Sequence, residues 1–125
     1  MDDIGVIIIN DGTDIHLSQE LFDRYSFDIE YYLNEHKGVS ATRNACLDKA
    51  TAEYVMFCDA DDMFNNILGI RMILDTIKNN PFEVLMSVFT EELKTPDDNY
   101  IYNQIDNDQI FIHGKVFNRK FLIDN

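Results

Sequence analysis

Two short apolar runs, each ending abruptly in acidic turn residues, constrain this chain more than anything else in it. Val6-Ile7-Ile8-Ile9 runs into Asn10-Asp11-Gly12-Thr13-Asp14, and Tyr54-Val55-Met56-Phe57-Cys58 runs into Asp59-Ala60-Asp61-Asp62. Neither run alternates polar with apolar residues, so each predicts a strand buried on both faces. Strands of that kind need helices over the sheet, and the intervening segments supply them. Short helices are expected over 17–25 and 40–50, the second built on the small residues Ala41, Ala45 and Ala50. The strongest helical pattern is 67–78, where Ile67, Ile70, Ile73, Leu74 and Ile77 follow 3-4 spacing before Asn79-Asn80-Pro81 ends it. Further strands are expected over 27–33, 83–90, 100–105 and 109–112, with a closing helix over 115–123. The strand–helix rhythm is that of an α/β protein with a mostly parallel sheet.

Composition narrows the partners. The 125 residues carry 10 Lys and Arg against 23 Asp and Glu, a formal charge of -13, with a pI near 4.3. Binding a nucleic-acid backbone needs clustered Lys and Arg, so a broad nucleic-acid surface is excluded. Hydrophobic residues make up 46%, a composition that folds. At this length about two thirds of the unfolded surface can be buried, so one domain spanning 1–125 is expected. Apolar runs no longer than five residues predict no membrane-spanning helix and no signal peptide. Cys46 and Cys58 are too few for a disulfide framework and have no metal-ligand partner at short spacing. They read as reduced thiols in a cytoplasmic protein.

The chemistry is expected at the acidic turns. In open α/β sheets, ligands bind beyond the carboxyl ends of the strands, and parallel strands would set both turns along one edge. Three carboxylates within four residues repel one another unless a cation or a proton intervenes. Hard oxygen donors on a short loop suit Mg²⁺ or Mn²⁺, which keep several waters and bind substrate phosphates. The plain alternative is an exposed acidic turn that caps the next helix. Arg43 and Asn44, within Gly38-Val39-Ser40-Ala41-Thr42-Arg43-Asn44-Ala45, place a basic group among small residues in an otherwise acidic chain. Its alternative is a surface pair with a carboxylate. His16, His36 and His113 have no spacing that indicates a metal site.

These residues carry a resemblance. Val6 to Asp14 resembles the second-strand motif of family 2 glycosyltransferases with the GT-A fold. The Gly38-Val39-Ser40 and Ala41-Thr42-Arg43-Asn44-Ala45 stretch is similar to their next motif. Ala52 to Asp62 resembles the strand leading into the family's Asp-X-Asp signature, and His113 to Leu122 a later segment of bacterial members. The resemblance implies a three-layer Rossmann-like nucleotide-sugar fold, a nucleotide-diphospho-sugar donor (a UDP-sugar first among them), an acceptor and Mn²⁺ or Mg²⁺. By position, Asp11 would contact the base with Arg43 nearby. Asp59 and Asp61 would hold the ribose and the metal-bound diphosphate, and Asp62 is a further metal ligand.

Two departures accompany the match. Members usually begin with another strand, ending in a Pro-Thr-Tyr-Asn-like segment, and here the chain starts almost on the second. Inverting members place a general base in a Glu-Asp motif beyond the Lys-Phe-Asn-Arg-like segment, about where this chain ends. Asp97, Asp98, Asp106 and Asp108 do not match that motif, so no catalytic base is assigned. The expectation is a domain truncated at both ends, whose open strand edges either close on each other or are covered in a homodimer. An alternative function is a non-catalytic relative serving as a nucleotide-binding, metal-binding or interaction module. A haloacid-dehalogenase-like phosphotransferase would use Asp59 as nucleophile and Asp61 as acid/base, but Asp62 stands where that class has Thr or Val. A receiver domain expects an acidic pair that Asn10-Asp11 supplies poorly.

Overall fold

The computed structural model describes residues 4–106 and 112–125. The chain divides into two compact units, Met1–Thr51 and Ala52–Asn125.

The first unit holds β1 (Gly5–Asp11), α1 (Gln19–Phe22), β2 (Asp28–Asn34) and α2 (Val39–Lys49). β1 and β2 pair in parallel, with Val6 opposite Ile29 and Asp11 opposite Asn34. β1 therefore runs two residues past its apolar stretch, because Asn10 and Asp11 still have ladder partners. α1 is one turn, shorter than the helix expected over 17–25. Ser18 makes no side-chain cap and only Phe22 is buried, too little to offset the cost of nucleating a longer helix. Phe22 packs against the Tyr31 ring at 5.9 Å between centroids. α2 packs on β1, and its last turn reaches β2 through the Lys49 ammonium, 3.7 Å above the Tyr32 ring.

The second unit contains β3 (Tyr54–Met56), α3 (Ile67–Asn79), β4 (Val84–Met86), β5 (Phe89–Lys94), β6 (Tyr100–Ile105), β7 (Lys115–Asn118) and α4 (Arg119–Asp124). β7 lies between β3 and β4 and is antiparallel to both. Val116 stands opposite Met56 on one side and Leu85 on the other. It is 3% exposed, the centre of this unit's core. The Asn66 side chain accepts a hydrogen bond from the Gly69 amide at 3.2 Å and starts α3. On α3, Ile70, Ile73, Leu74 and Ile77 are half-buried, whereas Ile67, Leu68 and Met72 are exposed.

Three expectations are corrected here. Among the described residues there is no one mostly parallel sheet: the β1–β2 ladder is parallel, and the ladders of β3, β4, β5 and β6 are antiparallel. The strand expected over 83–90 breaks at Ser87, whose amide and hydroxyl both donate to the Gly114 carbonyl, at 2.8 and 2.7 Å. The chain then leaves the sheet as the β5–β6 hairpin. The closing helix over 115–123 begins instead as β7. Val116 and Phe117 suit a pleated strand, and the Asn118 side chain accepts from the Phe121 amide at 3.1 Å, starting α4 one residue later. Most of the strand expected over 109–112 lies outside the described residues.

Truncating the most buried side chain tests this core. Val116→Ala removes two methyl groups and is expected to cost about 2 kcal/mol in urea unfolding followed by circular dichroism. Met72→Ala, on the exposed side of α3, is expected to cost less than about 0.5 kcal/mol.

Candidate functional site

In the first unit, the sequence places Asp11 at the end of β1, and the fold puts its carboxylate against the loop that starts α2. Oδ1 accepts the Lys37 amide at 2.8 Å and Oδ2 the Gly38 amide at 2.9 Å. The His36 Nδ1 lies 3.0 Å from Oδ2. The Lys37 amide, opposed by burial and helped by the Gly38 amide, the Thr42 hydroxyl and the His36 charge, holds the Asp11 carboxyl below its ordinary value of 3.8. Two backbone features make this contact possible. Gly12 has φ +83°, and a Cβ there would lie 2.7 Å from the His36 nitrogen. Gly38, the residue preceding α2, has φ +87°, a conformation that side-chain-bearing residues rarely adopt. Thr42 then closes the first turn, its amide and hydroxyl both donating to the Gly38 carbonyl. Arg43 follows on the next turn, half-buried. Asp11 and Arg43 are thus set at the two ends of one short, hydrogen-bonded entry into α2.

Asn10 does the neighbouring work. Its side-chain oxygen accepts from the Thr13 amide and hydroxyl, at 2.8 and 2.9 Å, and its nitrogen donates to the Ile15 carbonyl at 2.7 Å. That folds the turn after β1 into a closed loop. In the sequence Asn10 reads only as a turn residue and His36 only as a histidine without metal-site spacing. The cue to both is the spacing of Gly12 and Gly38, which marks where two loops approach.

In the second unit, β3 runs into the acidic turn. The Asp62 amide donates to the Asp59 carbonyl at 3.0 Å, closing a four-residue turn. Asp59 is half-buried, while Asp61 and Asp62 are exposed. The Cys58 thiol lies 3.7 Å from the Asp59 carbonyl oxygen and 3.8 Å from that of Asp62. Burial first, and then the charges of Asp62, Asp59 and Asp61, push its pKa up. Cys58 is therefore kept as a protonated, weakly nucleophilic thiol. A cavity of about 590 Å³ in the same unit lies away from the acidic turn, lined by Glu53, Tyr54, Phe82, Asn118 and Phe121 at the opposite end of β3.

The donor chemistry of the turn suits a hard divalent cation. Among the described residues, however, no three His, Cys, Asp or Glu side chains form a group that could hold a metal ion. The three aspartates expected as ligands are thus not a preformed three-ligand cage. A cation there would need water and substrate oxygens to complete its coordination.

Residues 1–123 match the family described as glycosyl transferase family 2, and the chain belongs to that family. It is 27% identical over 90 residues to a cholesterol galactosyltransferase of Borreliella burgdorferi, a match covering 70% of this chain and 25% of that protein. It is 32% identical over 69 residues to an uncharacterized glycosyltransferase of Rickettsia bellii, covering 54% of this chain and 10% of that protein. The matched segments thus span a quarter or less of these relatives. Among the described residues, no helix is long and apolar enough to cross a membrane.

The Asp11 contacts set a pH dependence. A carboxyl whose folded pKa is depressed contributes stability that is present above its unfolded value and is lost as pH falls through the folded one. Asp11→Asn is therefore expected to lower the urea midpoint well above pH 3.8. The gap between variant and wild type is expected to narrow as pH drops below that value. A gap independent of pH would show that the charge of Asp11 is not what holds the loop.

Proposed function

We propose that this chain is a single glycosyltransferase-like domain of the GT-A type, serving the transfer of a sugar from a nucleotide-diphospho-sugar to an acceptor. The observation that carries this reading is the family match along nearly the whole chain, with both apolar strands running into the acidic segments that the resemblance assigns to donor binding. Asp11 and Arg43 take the base end of the donor. Asp59 and Asp61 take the ribose and diphosphate, and Asp62 joins Asp59 and Asp61 as a metal ligand. A bound Mn²⁺ or Mg²⁺ would offset charge on the diphosphate leaving group. The chain's own part is to hold that cation with carboxylates on a closed turn. UDP is the favoured nucleotide, and a cytoplasmic location with Cys46 and Cys58 as free thiols completes the reading.

Calorimetric titration of UDP in the presence of Mn²⁺ tests the assignment. Wild-type chain is expected to bind UDP more tightly with Mn²⁺ than without it. Asp61→Ala is expected to weaken that binding by about tenfold, roughly 1.4 kcal/mol. Equal affinity in the two proteins would remove Asp61 from the site.

The same reading includes a homodimer. β1 has a ladder partner on one side only among the described residues, and its β-branched run has the character of a strand buried on both faces. An edge of unpaired backbone groups beside such a run invites pairing with a second copy about a twofold axis. Because the net charge of -13 opposes association, the dimer is expected to strengthen with salt. Sedimentation equilibrium at low and moderate salt checks this, and a strict monomer in both would overturn it.

A further inference from the structure

The cavity of about 590 Å³ at the far end of β3 takes no part in the function proposed above, and its walls have a chemistry of their own. β3 and β4 both run antiparallel to β7. Glu53, just before β3, and Glu83, just before β4, therefore flank the end of β7. Their carbonyls accept the Arg119 and Asn118 amides, each at 2.8 Å. Tyr54 follows one glutamate and Phe82 precedes the other, and their rings lie 4.8 Å apart between centroids at 52°. Phe121 of α4 completes an aromatic lining. The three rings are half-buried, whereas both glutamates are exposed.

Charge, size and hydrogen bonding narrow what such a cavity takes. Lys120 also lines it and pairs with Asp124 at 3.1 Å. Glu53 and Glu83 have no ion pair among the described residues. Two uncompensated negative charges thus stand beside the rings, and they repel an anionic ligand. The volume falls within the range of about 300–1,000 Å³ typical of small-molecule sites, far more than a bare ion fills. No three His, Cys, Asp or Glu side chains among the described residues gather to hold a metal.

A primary ammonium would bring three N–H donors that need acceptors. Acceptors beside the rings are already engaged: the Tyr54 hydroxyl accepts the Phe82 amide at 3.4 Å, and the Asn118 side chain accepts the Phe121 amide at 3.1 Å. A quaternary ammonium has no N–H to satisfy. Its methyl groups carry the positive charge to the faces of aromatic rings, which attract it.

We propose that this cavity binds the quaternary ammonium group of a small organic cation, with its methyl groups against Tyr54, Phe82 and Phe121 and its charge beside Glu53 and Glu83. The same trimethylammonium group occurs in free cations and in phosphocholine headgroups. A headgroup would carry its phosphate toward the two glutamates, so the free cation is the favoured source.

The test is an amide-resolved NMR titration of the full chain with choline, at an ionic strength held constant with sodium chloride. Choline is expected to shift the amides of 53–55, 82–84 and 118–121 at millimolar concentration and to leave those of Asp97 and Asp98 in place. The neutral carbon isostere of choline, with C in place of N⁺, is expected to bind about fivefold more weakly, and phosphocholine also more weakly than choline. Replacing both carboxylates, Glu53→Gln with Glu83→Gln, changes only exposed positions and is expected to weaken choline binding by about fivefold. Phe82→Ala is expected to do the same, and the amide spectrum itself reports whether each variant is folded. The proposal is overturned if choline moves no amide around the cavity, or moves Asp97 and Asp98 equally, as a mere counter-ion would. It is also overturned if the neutral isostere or phosphocholine binds as tightly as choline, or if the folded glutamine variant binds as wild type does.

Discussion

The first unit depends on a carboxylate satisfying a loop. Asp11 ends β1 and accepts two successive amides, those of Lys37 and Gly38, immediately before α2 begins. Each is a charge-assisted bond to a backbone donor, stronger than its neutral counterpart. Without them the left-handed Gly38 and the exposed His36 would have little to fix the chain's entry into the helix. The direction in which α2 leaves, and with it the place of Arg43, follows from that contact. Gly12 is needed because the two loops come too close for a Cβ, so a tight turn and an ionised side chain act together. An Asp that the family resemblance assigns to the nucleotide base is thus also the group that shapes the loop beside it.

The second unit is organised by β7. It is short, yet it carries the buried Lys115 and Val116 and stands between β3 and β4. By pairing with β3 it fixes the strand that delivers the acidic turn. By accepting Ser87 at Gly114 it sends the chain out into the hairpin. The turn carries Asp59, Asp61 and Asp62, and a diphosphate there would add to their negative charge. Carboxylates alone would repel such a group, so donor binding as proposed would need a cation held by Asp59, Asp61 or Asp62.

Much of this organisation is legible in the residues. The β-branched run of β1, the 3-4 spacing of α3 and the acidic residues ending β1 and following β3 mark those elements by local chemistry alone. What escapes a linear reading depends on distant partners. Nothing near 115–123 says that Lys115 to Asn118 will be clamped between two strands, because its apolar and basic residues fit a helix equally well. The break at Ser87 depends on a carbonyl 27 residues away, and the parallel or antiparallel sense of a ladder is set by the path of the chain rather than by composition. Asp11, Asp59, Asp61 and Asp62 stand out in the sequence as the acidic residues of two turns. The amides that hold Asp11 do not, since backbone donors leave no mark in a sequence beyond the glycines that let loops approach.

The central claim is that the turn at Asp59–Asp62 is a place for a metal-bound diphosphate and not merely part of an acidic surface. Paramagnetic broadening of amide signals by substoichiometric Mn²⁺, recorded with and without UDP, tests it directly. The account predicts that UDP concentrates the broadening on Cys58 to Asp62 and leaves the acidic hairpin turn at Asp97 and Asp98 little affected. Equal broadening at both turns, unchanged by UDP, would mean that Mn²⁺ reads only the net negative charge of the chain and would contradict the claim.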